Sequence, residues 1–167
     1  IVGFSQVTEE LPVDLSMKWL RSVLSCVSEC IVEQGGVLVD FVGDAVMAIF
    51  GAPEPQSDHA VRGCVAARSI IRRVEQISQV WEDKINRPTQ VVLGINSGTA
   101  NVGNVGSEQK FKYGALGNTV NLASRIQGFA RKVGVQVAIG QGTRDLLPES
   151  VSVSPLSKTR VVNIVRP

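Results

Sequence analysis

The sequence predicts an α+β fold in which helices pack on a mostly antiparallel sheet. Two long segments repeat apolar residues at steps of three and four, a spacing typical of amphipathic helices. Short β-branched or apolar runs lie around them, and turns that contain glycine join these runs as in hairpins. The 167 residues are 44% hydrophobic and 19% charged, which suits one hydrophobic core and leaves little room for a second. We therefore expect residues 1–167 to form a single domain.

The first long helix is predicted over residues 12–34, where apolar side chains recur on one face until two glycines end it. Residues 36–42 and 45–50 follow as two strands, because each is a run of apolar or β-branched residues. The two residues between them, a glycine and Asp44, are typical of a tight hairpin turn. This turn presents the Asp44 carboxylate at its tip.

The second long helix is predicted to begin after Ser57 or Asp58, either of which can cap it, and to run to about residue 84. Residues 91–96 then form a buried strand, since they are again mostly apolar. Four glycines punctuate this strand and the next stretch: Gly94, Gly98, Gly103 and Gly106. Their spacing matches neither the dinucleotide-binding fingerprint nor a Walker loop. We interpret them as turn and bulge glycines of a twisted hairpin.

Residues 111–116 complete this hairpin, and a helix follows from residue 118 through residue 132. The remaining apolar runs predict short strands at residues 135–139, 151–153 and 161–165. At the other end of the chain, residues 1–4 have the pattern of a strand that enters a tight turn. We therefore expect the domain to be truncated at its N-terminus, within its first strand.

Composition and charge exclude several classes of function. The net charge is +2 and the basic residues are scattered, which argues against a nucleic-acid-binding surface. No apolar run approaches the ~20 residues of a membrane span, so we expect no membrane contact by this chain. The odd number of cysteines suits a reducing compartment and favours a cytoplasmic location, including the cytosolic part of a larger, membrane-attached protein. Because His59 is the single histidine, cysteine–histidine metal clusters and catalytic triads are disfavoured.

Two sets of polar residues have the chemistry of a binding site. Asp44 can hold a hard cation such as Mg²⁺, although an isolated aspartate in a turn more often only stabilises the turn. Asn121 and Arg125 are four residues apart on one helix, so both side chains leave the same face. A guanidinium beside an amide can bind a phosphate and a sugar, although the spacing by itself favours a solvated helix face capped by Asn118.

Five strings occur in register along the chain: IVGFS at residues 1–5, FVGDAVMAIFG at 41–51, GINSG at 94–98, GNVG at 103–106 and GNTVNLASR at 117–125. Together they resemble the catalytic domain of class III nucleotidyl cyclases, the adenylyl and guanylyl cyclases. The resemblance covers nearly the whole chain and implies a ferredoxin-like α+β core. It also implies conversion of a nucleoside triphosphate to its 3′,5′-cyclic nucleotide and pyrophosphate, with two divalent cations, Mg²⁺ or Mn²⁺, at the interface of a head-to-tail homodimer.

The resemblance assigns the metal and phosphate contacts to the start of the chain and to the first hairpin. Asp44 matches the second of the family's two metal-binding acids, and the first would stand immediately before Ile1, outside this sequence. The carbonyl of Ile1 matches a further metal ligand. The turn formed by Gly3, Phe4 and Ser5 would offer backbone N–H groups to the phosphates, in the manner of an anion-binding nest.

Three further residues match catalytic positions of the family. Arg125 matches the arginine that binds the phosphates in the transition state, and Asn121 matches the residue that orients the ribose. Both would come from the subunit that does not supply Asp44. Lys158 matches the lysine that contacts the terminal phosphates. The sequence around it, LSKTR at residues 156–160, departs from the family's Lys-Gly-Lys pattern, so a solvated loop lysine is the alternative.

The two positions that read the base depart from both family patterns. Asp40 stands where adenylyl cyclases have lysine and guanylyl cyclases have glutamate. Gly114 stands where the former have aspartate, threonine or serine and the latter have cysteine. An ionised Asp40 can accept hydrogen bonds from guanine N1–H and the 2-amino group, but it cannot donate one to adenine N1. This chemistry favours GTP slightly and leaves ATP open. The alternative is that Asp40 only protects a sheet edge from aggregation.

Two other classes of function remain. A catalytically silent cyclase-like module, which binds nucleotide or only dimerises within a signalling protein, would account for the unusual Asp40 and Gly114. An RNA-binding sheet would need stacked aromatic residues on neighbouring strands. The aromatic content is 5%, and only Phe111 and Tyr113 lie near each other in these strands, so the sequence disfavours RNA.

Overall fold

The computed structural model of the chain describes residues 1–156. The helices are α1 (Phe4–Glu10), α2 (Val13–Glu33), α3 (His59–Ile85), α4 (Asn118–Val133) and α5 (Gln141–Arg144). The strands are β1 (Val37–Val42), β2 (Ala45–Ile49), β3 (Leu93–Ile95), β4 (Asn101–Gly106), β5 (Phe111–Leu116) and β6 (Val137–Ile139). The predicted long helices, both hairpins and the α+β class are confirmed. Asp58 occupies the cap position of α3, although its side chain makes no capping hydrogen bond.

The strands form three pairs in the described residues. β1 and β2 are antiparallel with Asp44 at their turn, and a register shift between Leu38 and Asp40 marks an irregularity in β1. β4 and β5 form the second antiparallel hairpin, with Gly103 opposite Gly114. β3 and β6 pair in parallel, since the β4–β5 hairpin and α4 lie between them in the sequence. The pairing is therefore mostly antiparallel, as expected, with one parallel pair that the sequence pattern does not reveal.

The main hydrophobic core lies between α2 and α3. Trp19 and Val23 on α2 and Ile70 on α3 are almost fully buried, and burial of one large aliphatic side chain stabilises a fold by about 1.5–3 kcal/mol. Trp19 Nε1 also donates a hydrogen bond to Thr89 Oγ1 at 2.9 Å, and the Thr89 N–H donates to Ser78 Oγ at 2.8 Å. These buried hydrogen bonds tie α2 to the segment that follows α3. Within residues 1–156, no helix is long and apolar enough to cross a membrane.

The N-terminal segment contains the expected tight turn and, after it, a helix that the sequence analysis did not predict. A turn precedes Phe4, with Gly3 in the left-handed conformation at a φ of 69°, and helix α1 begins directly afterwards. Phe4 stacks on Trp19 with ring centroids 6.2 Å apart, and Val7 is fully buried. The spacing of these apolar residues gives α1 a buried face. The expected turn is confirmed, truncation within a first strand stays a prediction, and helix α1 was not predicted from the sequence.

Two expectations are wrong, and one cannot be compared with the structure. Residues 151–153 form no strand, because the Val151 N–H closes a turn onto Pro148 O at 2.9 Å. Gly94 lies inside β3 and not in a turn, and a Cβ at this position would clash with the backbone of α4. Glycine is required there because helix and strand approach each other so closely. The strand predicted over residues 161–165 lies outside the described residues.

Candidate active site

Asp44 stands at the tip of the β1–β2 hairpin, beside the first residue of the chain. The Ile1 backbone nitrogen lies 2.6 Å from Asp44 Oδ2, and 28% of the Asp44 side chain is exposed. The Ile1 side chain packs against the core, and the Val2 N–H donates to Gln90 O at 2.8 Å. These contacts hold the start of the chain next to the carboxylate. The two residues that the sequence assigns to a metal site are therefore neighbours in the structure.

The oxygen atoms at this position fit one side of a divalent cation site. A half-buried carboxylate and a backbone carbonyl are hard ligands of the kind that Mg²⁺ and Mn²⁺ prefer. Residues 1–156 contain no group of three or more histidine, cysteine, aspartate or glutamate side chains that could hold a metal ion. Asp44 and Ile1 thus supply only part of a ligand set, and the resemblance places the missing acid ahead of Ile1.

Gly3, Phe4 and Ser5 follow this position, where the chain turns into α1. The positive φ of Gly3 allows the turn, and the first N–H groups of a helix have no partner within the helix. The Phe4 ring packs on Trp19, whereas Ser5 is exposed. The Phe4 side chain therefore has a structural role, and the backbone N–H groups are the part of this turn that is suited to a phosphate.

Asp40 lies on β1, and its carboxylate pairs with Lys112 of β5. Lys112 Nζ donates to Asp40 Oδ2, and the Phe41 N–H donates to Asp40 Oδ1 at 3.1 Å. The hydrogen bond from the lysine ammonium, assisted by its charge and by the backbone N–H, lowers the pKa of Asp40 below its ordinary value. Asp40 is therefore ionised at neutral pH, the state in which a carboxylate accepts hydrogen bonds and donates none.

Gly114 lies two residues beyond Lys112, so both positions share one face of β5. A Cβ at Gly114 would lie 3.4 Å from Val105 Cγ2 and 3.8 Å from Val39 Cγ1, which places this residue where β5 approaches β1. The structure thus brings the two positions assigned to the base, Asp40 and Gly114, onto neighbouring strands. Lys112 is the member of this site that the sequence analysis missed. Its spacing of two from Gly114 is the signal that could have identified it.

Asn121 and Arg125 lie one turn apart on α4, as predicted. Asn121 is exposed, whereas Arg125 is half-buried and its Nη1 is buried without a hydrogen-bond partner in the described part of the chain. Among residues 1–156, no hydrogen bond or ion pair connects either side chain to Asp40 or Asp44. A buried donor without a partner costs about 1–3 kcal/mol. The contacts within the described residues therefore do not explain why the Arg125 Nη1 is buried. Lys158, the remaining candidate, lies outside the described residues.

The family model described as the adenylate and guanylate cyclase catalytic domain matches residues 1–162. The chain belongs to this family. This cyclase domain is 28% identical to adenylate cyclase 1 of Rhizobium meliloti over 160 residues, which are 96% of this chain and 24% of that protein. It is also 28% identical to the adenylate cyclase of Anabaena cylindrica over 163 residues, 95% of this chain and 32% of that protein. The chain therefore spans less than a third of the length of either relative.

Solved structures of cyclase domains have the same fold as this chain. The adenylyl cyclase CyaB from P. aeruginosa superposes with a TM-score of 0.91 at 28% identity, over 99% of this chain and 85% of that one. The guanylyl cyclase Cya2 superposes with a TM-score of 0.88 at 26% identity, over 98% of this chain and 82% of that one. The expected cyclase catalytic fold is confirmed. Because the chain is similar to both an adenylyl and a guanylyl cyclase, these comparisons do not identify the base of the nucleotide substrate. The residues of the site are the basis for proposing it.

Proposed function

We propose that this cyclase domain converts a nucleoside triphosphate, preferably GTP, to its 3′,5′-cyclic nucleotide and pyrophosphate. The observation that carries the proposal is the arrangement of acids on the first hairpin. Asp40, ionised and held by Lys112, lies four residues before Asp44, whose carboxylate stands beside Ile1 at the tip. One carboxylate suited to hydrogen bonds with a nucleobase and one suited to a cation thus lie on the same hairpin. A nucleoside triphosphate has a nucleobase at one end and phosphates that bind cations at the other.

The reaction joins the ribose 3′-oxygen to the α-phosphorus and breaks the bond from that phosphorus to the oxygen that bridges to the β-phosphate. The 3′-hydroxyl loses its proton, and pyrophosphate leaves. Divalent cations held by Asp44, by the Ile1 carbonyl and by the acid expected before Ile1 would favour loss of this proton and neutralise phosphate charge. The backbone N–H groups of residues 3–5 would bind oxygens of the leaving pyrophosphate.

Helix α4 would supply the remaining contacts to the substrate. The Arg125 guanidinium presents a planar set of donors that suits the charge developing on the phosphates. Asn121, exposed one turn earlier, has both a donor and an acceptor with which to orient the ribose. Lys158 would contact the terminal phosphates. Because the reaction joins two groups of one molecule, correct orientation of ribose and phosphate contributes much of the rate.

A second copy of the chain, arranged head to tail, would complete the site. Arg125 is not linked to Asp44 within the described residues, and α4 packs on β3 and β6. Both hairpins also expose large apolar side chains: 49% of Phe41 and 64% of Phe111 are accessible. Apolar side chains of this size are typically buried in stable interfaces. In such a dimer each subunit would contribute Asp44 to one site and Arg125 to the other.

GTP is the preferred substrate in this proposal because of the lone pairs that remain on Asp40. Each carboxylate oxygen has two lone-pair sites, and each already accepts one hydrogen bond, from Phe41 or from Lys112. One site on each oxygen remains, which matches the N1–H and 2-amino donors of guanine. Adenine would direct its N1 acceptor at the same carboxylate. Gly114 has no side chain and leaves room beside the six-position of the base.

ATP is the second candidate substrate, and two observations favour it. The relatives from Rhizobium and Anabaena are named adenylate cyclases. An ammonium has three donors, and Lys112 uses one of them for Asp40, which leaves donors for an acceptor such as adenine N1. The alternative to catalysis is a silent cyclase-like module, which the unusual Asp40 and Gly114 at the base positions favour.

Product analysis distinguishes these functions. The protein, extended by one aspartate ahead of Ile1, is incubated separately with ATP, GTP, CTP and UTP and with Mg²⁺ or Mn²⁺, and the products are separated by chromatography. Cyclic GMP as the main product supports the proposal. Cyclic AMP as the only product would contradict recognition of the nucleobase by Asp40. No cyclic product from a protein that is dimeric in sedimentation contradicts catalysis and favours the silent module.

A further inference from the structure

Helix α4 rests on β3 and the residue after it through Gly94 and Asn96. A Cβ at Gly94 would clash with Ala123 O and lie 2.8 Å from Gln127 Cα, so the helix backbone lies directly on the strand. Asn96 Nδ2 donates a hydrogen bond to Thr119 O at 3.1 Å, in the first turn of α4. The first contact sets the distance between helix and strand, and the second fixes the start of the helix.

The Asn96 amide is held in place from several sides. A Cβ at Gly140, the residue after β6, would overlap Asn96 Oδ1, so this glycine provides the space that the amide fills. The Gly140 N–H donates to Ile95 O at 2.8 Å, which fixes the backbone next to Asn96. On the helix side, Thr119 Oγ1 donates to Thr99 O at 2.6 Å. The amide therefore connects the ends of the parallel strands to the first turn of α4.

We propose that Asn96 is a positioning residue for the cyclase reaction, because its amide holds the first turn of α4 in the orientation that directs Asn121 and Arg125 at the substrate. This inference rests on the proposed function. Asn121 follows Thr119 by two residues, and its N–H donates to Gly117 O at 3.2 Å, so it lies in the turn that Asn96 holds. Arg125 lies one turn further along the same helix. A rotation at the start of α4 would misplace both groups.

Two substitutions separate positioning from simple filling of space. Asn96→Asp keeps the shape of the side chain but places a carboxylate oxygen against the Thr119 carbonyl, where two acceptors repel each other. Asn96→Ala removes the hydrogen bond without adding repulsion and leaves a small space beside Gly140. Positioning through the hydrogen bond predicts the lower kcat for Asn96→Asp. A space-filling role predicts the lower kcat for Asn96→Ala.

We expect kcat to fall about tenfold in Asn96→Ala and further in Asn96→Asp, since about tenfold corresponds to the loss of one neutral hydrogen bond. KM should change less than kcat, because the triphosphate is held mainly by other groups. Gln79→Glu is the matched control, since Gln79 is an exposed amide on α3 and the same change from amide to carboxylate is made away from α4 and from both hairpins. Its kcat should equal that of the wild type.

Hydrogen exchange, measured on the same extended protein, separates this inference from the proposed function. We expect the amides of residues 118–123 to exchange faster in Asn96→Asp than in the wild type, and at the wild-type rate in Gln79→Glu. Wild-type exchange and kcat in Asn96→Asp, or a lower kcat in Asn96→Ala than in Asn96→Asp, would overturn the positioning role. A wild-type protein that forms no cyclic nucleotide would overturn the proposed function, even if exchange shows that Asn96 holds α4.

Discussion

Replacement of Asp40 by asparagine tests how the site selects its base. Asp40→Asn keeps the shape of the side chain, removes its charge and turns one acceptor oxygen into a donor. In the wild type both oxygens accept one hydrogen bond, from Lys112 Nζ and from the Phe41 N–H, and each keeps one free lone-pair site. The variant offers guanine one acceptor and one donor in place of two acceptors. We therefore expect it to lose most of its preference for GTP.

The size of the effect follows from these contacts. The variant loses one hydrogen bond between guanine and a charged acceptor, and the other becomes a hydrogen bond between neutral groups. Asp40 is 30% exposed and Lys112 is 53% exposed, so solvent weakens both contacts and limits the change. The ratio of kcat/KM for GTP to that for ATP should fall about tenfold to thirtyfold.

The pH dependence provides a second check on Asp40. Lys112 lowers the pKa of Asp40, so the base preference of the wild type should stay constant from about pH 6 to pH 8 and decline only in acid, where the carboxylate is protonated. The Asp40–Lys112 pair also contributes to the free energy of unfolding at pH values above the ordinary carboxyl pKa. That contribution is lost as the pH falls through the lowered value.

The assay is competition between GTP and ATP at equal concentrations, with both cyclic products separated by chromatography. Asp83→Asn is the matched control, because Asp83 is an exposed acid on α3 and undergoes the same chemical change. An unchanged ratio in Asp40→Asn, or a shift towards cyclic GMP, would refute base reading by this carboxylate.

Three further predictions concern the site and the core. Arg125→Ala should lower kcat about a hundredfold or more without changing the sedimentation of the dimer, because the guanidinium binds substrate charge; unchanged turnover would remove Arg125 from the mechanism. Trp19→Phe should lower the free energy of unfolding in urea by about 1–3 kcal/mol, since it removes the donor to Thr89 and part of a buried ring; a stability equal to the wild type would contradict this role. Burial raises the pKa of the Cys26 thiol to about 11, so iodoacetamide at about pH 8 should alkylate it much more slowly in the folded protein than in urea. Equal rates would show that the thiol is accessible.

The elements of the fold that depend on residues close together in the sequence could be predicted from it. The long helices α2 and α3 follow from apolar residues on one face, and the first hairpin follows from its glycine and Asp44. Helix α1 was missed because its 7 residues offer too few repeats to be distinguished from the end of a strand. The parallel pairing of β3 with β6 could not be predicted either, because it depends on how the intervening hairpin and helix pack.

The individual site residues could be found because they lie in short strings, but their contacts could not. Asp40 pairs with a lysine 72 positions away, and no local pattern links residues so far apart. Asn96 contacts a carbonyl 23 positions away, and Gly94 was mistaken for a turn glycine because only the packing of α4 reveals the close approach. Asp44 and Ile1 lie together in the structure, although their metal role remains a prediction.

We propose that formation of a cyclic nucleotide by this domain depends on the Asp44 carboxylate. The most direct test compares the extended wild-type protein with its Asp44→Asn variant, in Mn²⁺ and in EDTA, by chromatography of the products. We expect more cyclic GMP than cyclic AMP from the wild type in Mn²⁺, and no product above background from Asp44→Asn or in EDTA. Undiminished product from Asp44→Asn, or no product from a dimeric wild-type protein, would contradict it.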